Sequence, residues 1–374
     1  MASDTIRVLM SSTSYPASLS DWKGLFIRHL ADALARRADL QLSLWAPPGD
    51  SHPALQRVSS DSESRFLTCL MDDGGIAHLI RSRNPRALTA IFGLLRGLRQ
   101  AYRRSDVDLY HVNWLQNALP LPDDGRPALV TALGTDMQLL RLPLVRTLLR
   151  RVFSRRPTAI CPNAQWMVEP LQAAFGDVAQ VQAVPFGIDP QWFASTRQPD
   201  PQQPKWLTVS RLTRAKLGPL LEWGEPLFPG KPRELHLFGP MQEQISLPDW
   251  VHYHGPATPQ QLCQTWFPQA HGLLTLSEHA EGLPQVILEA MAATLPVVAS
   301  RMPAHASMVE HGRAGWLCDS PTDLAQALQQ LEQPEHNRQH GELSRQRCLT
   351  EIGTWDDCAQ RYQSLYRQLL ARMT

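Results

Sequence analysis

The sequence has few of the features that mark a metal centre, a secreted scaffold or a membrane span. Six cysteines are scattered over 374 residues, at Cys69, Cys161, Cys263, Cys318, Cys348 and Cys358. No two have C-x-x-C spacing, so the common zinc and dithiol motifs are excluded and no metal site is expected. No apolar run approaches the roughly 18 residues that cross a bilayer. The first residues, MASDTIRVLM, contain no basic stretch leading into an apolar segment, so no secretory leader is expected. Net charge is only +1, which gives no reason to expect nucleic acid as a partner. Together these absences point to a reducing, cytoplasmic setting.

What is present is a folded two-domain composition. Apolar residues make up 43% and charged residues 19%, the balance of a globular chain rather than a disordered one. The length exceeds one ordinary hydrophobic core. IRVLM (6–10) reads as a buried strand, followed by helical periodicity over Gly24–Arg37 and a second strand in LQLSLW. VDLYHV, ALVTAL, TAICP and VQAVPFG continue the alternation. Asp50–Asp73 is polar without a clean period and receives no element. QPDPQQP (198–204) reads as a linker. The alternation restarts with KWLTVS, ELHLFG, VHYHG, HGLLTLS, PVVAS and GWLC. Strands alternating with helices imply parallel sheets, whose ligands bind beyond the carboxyl ends of the strands. TWDDCAQRYQSLYRQLL reads as a capped amphipathic C-terminal helix.

The near-zero net charge hides two arginine-rich segments. Ile80–Ser105 holds seven arginines and no acid, and Met137–Arg156 holds six and no acid. Leu, Ile, Val and Phe lie between them, so both read as basic amphipathic helices. Two readings stand: solvated helix faces, or a surface for anionic lipid headgroups.

EGLPQVILEAM (281–291) places Glu281 on a loop and Glu289 inside a helix, with Pro284 suited to the first helical turn. The N–H groups near Gly282, Leu283, Gln285 and Val286 then point out of a helix N-terminus, a seat for an anion such as a diphosphate. The flanking carboxylates are suited to sugar hydroxyls. On spacing alone, a plain helix with a solvated Glu289 also fits. A second cluster, VSRLTRAKLG, sets Arg211 and Lys216 just after a strand of the same domain, where two cations can neutralise a diphosphate.

These motifs together resemble the retaining glycosyltransferases of family 4. SEHAEGLPQVILEAMAATLPVVAS is similar to that family's E-x7-E segment, and SRLTRAK to its phosphate-binding segment. VPFGID, EHGRAGWLCD and TWDDCAQRY fit further parts of the pattern. In the N-terminal half, SSTSYPASLSDWKGLFIRHLADAL, DLYHVNW and VTALGTD resemble its opening loop, helix and strand ends. The resemblance implies the GT-B fold, an α/β architecture of two Rossmann-like domains facing a cleft. Residues 1–195 would bind the acceptor and 196–353 the donor, with 354–374 a helix packing back on the N-terminal domain.

The resemblance also implies roles. Arg211 and Lys216 would clamp the diphosphate of a UDP- or GDP-sugar. Glu281, with Gly282, Leu283, Pro284, Gln285 and Val286, would hold the sugar and phosphate, and Glu289 the ribose. Transfer would retain configuration and need no metal or cofactor. Asp21, Lys23 and Gly24 would lie on the acceptor side. The family's histidine before G-x-D is Leu133 here, which leaves His111 or Asp136 to supply a polar contact; a core role for His111 stands beside that. Thr294 stands where the family often has glycine, so its helix cap is expected to differ. The acceptor would be a glycan or lipid-linked precursor of the cell envelope or an exopolysaccharide, reached at the inner face of the membrane through 80–105 and 137–156. Alternatives are a nucleotide-sugar epimerase, a sugar phosphorylase, or a non-catalytic nucleotide-sugar binder of the same fold.

Overall fold

The computed structural model describes residues 5–19, 21, 23–81 and 84–373. Ser20 and Trp22 of the SDWKG loop, and Ser82 and Arg83 of the first basic segment, lie outside the described residues, as does the side chain of Arg81. The chain divides into two units, Met1–Phe186 with Trp355–Thr374, and Gly187–Thr354.

The first unit is built on seven strands: β1 (Ile6–Ser11), β2 (Leu40–Trp45), β3 (Gln56–Arg57), β4 (Leu109–Asn113), β5 (Ala128–Ala132), β6 (Thr158–Pro162) and β7 (Gln180–Val181). Their order is β3-β2-β1-β4-β5-β6-β7, and every pairing is parallel. β4, β5 and β6 are buried at every position, which is why they read as apolar runs without alternation. Helix α1 (Leu25–Ala35) begins after Gly24, whose φ is +70°. A Cβ there would meet Ser14 Oγ at 2.7 Å, so glycine lets Ser14 approach the backbone closely. Helices α2 (Arg86–Arg104) and α3 (Pro143–Phe153) lie within the two basic segments, and the start of the second, up to Arg141, is a separate 3-10 turn.

The unassigned stretch contains a helix, Asp61–Asp72. It buries only Glu63, Leu67 and Leu70, so its apolar face is thin. It is held instead by a capping box between Ser60 and Glu63, and by Arg104, whose guanidinium donates to both Glu63 oxygens at 2.9 and 2.6 Å.

The C-terminal helix, Trp355–Ala371, belongs to this unit. His111 fastens it. The ring Nδ1 lies 2.5 Å from Tyr366 Oη and Nε2 lies 2.9 Å from Thr131 Oγ1, which in turn lies 3.1 Å from Tyr362 Oη.

The second unit carries six parallel strands: β8 (Lys205–Val209), β9 (Glu234–Phe238), β10 (Val251–Tyr253), β11 (Gly272–Thr275), β12 (Val297–Ser300) and β13 (Trp316–Cys318), in the order β10-β9-β8-β11-β12-β13. Its boundary falls at Phe186/Gly187, earlier than the expected 195/196. QPDPQQP is therefore inside the unit. Arg197, just before it, donates to Thr294 O, Ala270 O and Asn337 Oδ1 at 2.5, 2.7 and 2.8 Å, and Gln198 N donates to Pro268 O. Polar, proline-rich composition marks this segment as an exposed connection, but the neighbouring arginine anchors it.

Helix α4 (Gln285–Ala292) follows β11 and ends at Thr294, which is left-handed with φ +59°. The helix end that favours glycine is thus kept without glycine. Leu295 N still closes on Ala290 O, and Thr294 Oγ1 donates to Ala293 O at 2.6 Å. Thr294→Gly is expected to stabilise the protein by about 1 kcal/mol, since a β-branched residue is strained there. A urea midpoint at or below that of wild type would contradict this.

Candidate active site

In the second sheet the connections step one way from β8 to β9 and the other way from β11 to β12. The strand order therefore reverses between β8 and β11. Ligands of open parallel sheets bind at such a point, beyond the carboxyl ends. The loops after these two strands are locked together there. Glu278 N donates to Ala215 O at 2.8 Å. Gly218, with φ +53°, lies so close that a Cβ would fall 2.0 Å from Leu276 O.

Lys216 sits in a short helix, Arg214–Leu217, capped by Thr213, whose Oγ1 accepts from Lys216 N. Its ammonium lies 2.5 Å from Glu281 Oε1, and both side chains are only 13% and 15% exposed. Ser277 Oγ donates to the same oxygen at 3.2 Å. Burial lowers the Lys216 pKa, Glu281 opposes this, and Arg211 lowers it further, which puts the second cation within electrostatic reach of the first. The structure therefore brings Lys216, Glu281 and Arg211 into one neighbourhood.

Pro284 is the N-cap of α4 rather than its first helical residue. Its carbonyl accepts from Ile287 N at 3.1 Å, which leaves the N–H groups of Gln285 and Val286 without an intrahelical acceptor. Gly282 and Leu283 are buried on the approach to the helix, Val286 is half-buried, and Gln285 Nε2 is a buried donor without a partner in the protein.

Glu289 lies one turn and more along α4, in a different setting. It is half-buried, and burial pushes its carboxyl up to about 7, helped by Asp189, the N-cap of the short helix Pro190–Phe193. Between the ordinary carboxyl pKa and about 7, the folded state holds a proton that the unfolded chain has released. Stability therefore falls as pH rises through that window. If ribose hydroxyls donate to the carboxylate, binding requires that proton to leave. Nucleotide affinity is then expected to rise up to about tenfold per pH unit below 7 and to level off above it. Calorimetric titration of UDP across this range checks the slope, and Glu289→Gln should flatten it.

His305 was not singled out by sequence and joins this site. It is fully buried. Its Nδ1 lies 3.0 Å from Ser300 O, a carbonyl that can only accept, so Nδ1 carries the proton and Nε2 is an acceptor. Nε2 is buried and has no partner in the protein. Ser300 Oγ donates to Ser277 O, one step from Glu281. Burial lowers the His305 pKa, and the Glu281 and Lys216 charges both act on it, in opposite directions. Ser300 ends β12, the neighbour of β11. Following every adjacent strand to its carboxyl end is the signal that would have found His305.

In the first unit, the order reverses between β1 and β4. After β1, Asp21 accepts from Ala17 N and Lys23 N at 3.2 and 3.1 Å, which shapes the loop before Gly24. Lys23 is half-buried. After β4 stands Trp114, with φ +68° and ψ 132°, a conformation that L side chains rarely adopt. Its ring meets that of Phe26 edge-on, with centroids 6.4 Å apart. No sequence signal marks this strain.

Two candidate catalytic residues are corrected. His111 is fully buried with both ring nitrogens engaged, and burial drives its pKa down to about 3. It offers no atom to a substrate and acts as the anchor of the C-terminal helix. Asp136 is 2% exposed, and its two oxygens accept from Leu133 N at 3.0 Å and Leu115 N at 3.2 Å. Burial raises its pKa to about 6 against those donors. It clasps the loops after β4 and β5, so its oxygens are spent on the backbone.

Comparison with known proteins agrees with this geometry. Residues 205–333 match the family model described as glycosyl transferases group 1. The matched stretch lies entirely within the second unit. A stretch of 101 residues is 30% identical to N-acetyl-alpha-D-glucosaminyl L-malate synthase of Bacillus anthracis, covering 26% of this chain. The match spans 26% of that enzyme's length. Over 98% of this chain, the fold is similar to all of the solved sucrose-phosphate synthase of Thermosynechococcus elongatus, with TM-score 0.72 and 17% identity. It is also similar to Anabaena HepE in complex with UDP-glucose, with TM-score 0.62 and 15% identity over 97% of this chain and 100% of that one. The architecture of two parallel sheets is thus that of the GT-B glycosyltransferase structures.

Proposed function

We propose that the protein is a retaining, metal-independent glycosyltransferase that uses a nucleotide-diphosphate-sugar. The observation that carries this reading is the Lys216–Glu281 pair at the strand-order reversal, directly before the N-terminus of α4. Lys216, Arg211 and the N–H groups of Gln285 and Val286 supply positive charge for a diphosphate, and Glu281 and Glu289 supply acceptors for hydroxyls. The bond between the sugar's anomeric carbon and the diphosphate oxygen breaks. The acceptor oxygen bonds to that carbon on the same face, and its proton passes to the departing diphosphate. The chain's own task is to position the donor and stabilise the charge that develops on the leaving group.

The acceptor in this reading is a glycan or lipid-linked precursor, bound by the first unit near Asp21, Lys23 and Trp114. The enzyme would work in the cytoplasm, against the inner face of a membrane. Among the described residues no helix is long and apolar enough to cross one. UDP- and GDP-sugars are tested by thermal shift, since a ligand that binds only the folded state raises its melting temperature. Binding hits are then assayed for nucleoside diphosphate release with and without acceptor. Acceptor-dependent release supports the reading, and sugar epimerisation without acceptor overturns it.

A further inference from the structure

Five of the large hydrophobic side chains exposed in the described residues lie on α2 or at the start of α3. Leu88 is 74% exposed, Phe92 80% and Leu144 72%, with Leu142 and Leu148 beside them. On α2 they open an outward stripe at helical spacing, Leu88, Phe92, Arg96, Arg99, Arg103. On α3 the stripe is Leu144, Leu148, Arg151. Along these stripes both helices run in the same direction from apolar to cationic, with the exposed Arg86 and Arg146 beside the apolar ends.

The two stripes also share a place. α2 leads into β4 and α3 into β6, and all the strands are parallel. Both helices therefore run opposite to the strands, with their N-terminal ends at the sheet's carboxyl edge. The chain crosses the sheet in the same direction in each case, so right-handed connections put both helices on one face. Tyr110 ties that face together: its hydroxyl donates to Asp124 Oδ2 and lies 3.2 Å from Tyr102 O of α2, and Asp124 pairs with Arg156 just past α3.

The charge is not balanced locally. Arg104, Arg150 and Arg155 are paired with Glu63, Asp177 and Asp123. Among the described residues, Arg96, Arg99, Arg103 and Arg151 have no ion-pair partner. We infer that the N-terminal halves of α2 and α3 insert together into an anionic lipid bilayer, with the arginines behind them at the headgroup phosphates. A bilayer fits both halves of the pattern, because its headgroups take the unpaired cations and its acyl boundary takes the apolar tips. The insertion edge is the carboxyl edge of the sheet, the same edge that carries Trp114 and the Asp21 loop. The inference deepens the membrane part of the reading above and is independent of which sugar is transferred.

Vesicle flotation of the full chain tests it, with phosphatidylcholine vesicles and with vesicles that also contain phosphatidylglycerol, at low and high salt. The wild type should float with the anionic vesicles and keep part of that binding at high salt, where headgroup attraction is screened. Phe92→Ser/Leu144→Ser should lose the salt-resistant fraction by at least about tenfold, while Arg96→Gln/Arg99→Gln should lose the preference for anionic vesicles. All four positions are exposed, so unchanged melting is the control for folding. Binding that vanishes in salt and ignores Phe92→Ser/Leu144→Ser overturns insertion and leaves peripheral docking. No binding to anionic vesicles overturns both. A wild-type dimer in solution that Phe92→Ser/Leu144→Ser dissociates assigns the face to a second copy of the chain and also overturns insertion.

Discussion

Glu281→Ala is expected to lower kcat for sugar transfer by roughly 100-fold or more, the scale seen when a preorganised polar contact to a reacting group is removed. The loss has two parts. The donor sugar loses an acceptor for its hydroxyls, and Lys216 loses the carboxylate 2.5 Å away that balances its buried charge. Burial already lowers the Lys216 pKa, and without Glu281 nothing on that side opposes it. The variant should therefore show a new alkaline-side loss of nucleotide binding as Lys216 deprotonates. Glu281→Gln keeps the shape and a hydrogen-bonding oxygen, so it separates the two parts. Full transfer activity in a well-folded Glu281→Ala protein removes Glu281 from the site.

Lys216→Ala carries the second large effect. A charge-assisted contact to a phosphate contributes about 1.5–3 kcal/mol, so the Kd for UDP should rise about ten- to hundredfold. Binding of uridine, which has no diphosphate, should change little. Glu281 adds a twist, because in Lys216→Ala its unbalanced negative charge faces the incoming diphosphate. The double variant Lys216→Ala/Glu281→Gln should then bind UDP better than Lys216→Ala alone, a non-additivity expected of residues in direct contact. Equal Kd values for UDP in wild type and Lys216→Ala would rule out the phosphate role.

Much of the architecture was legible because parallel strands buried on both faces appear as short apolar runs, as ALVTAL and TAICP do. Arg211, Lys216 and Glu281 were legible as well, since each follows a strand closely and the carboxyl-edge rule needs only local order. The helix Asp61–Asp72 was not, because its apolar face is too thin for periodicity to register, although Ser60 and Glu63 have capping-box spacing. His305 could not be paired with Ser277 or Lys216 by inspection, since their proximity arises only when β8, β11 and β12 lie side by side. His111 and Asp136 misled for a related reason. Both sit at strand ends where polar residues often meet ligands, and only the packing reveals that Tyr366, Thr131 and two backbone N–H groups have taken their polar atoms.

The C-terminal helix has a consequence for biosynthesis. The first unit needs residues 355–371, which leave the ribosome only after the whole of Gly187–Thr354 has been made. At usual elongation rates that interval is on the order of ten to thirty seconds. Throughout it, the nascent first unit lacks Tyr362, Tyr366 and Leu369, all buried in the finished protein. The apolar surface that receives them is open to chaperones and to neighbouring nascent chains. A stop codon shortly before Trp355 would spare the entire second unit and still leave the first without its last layer.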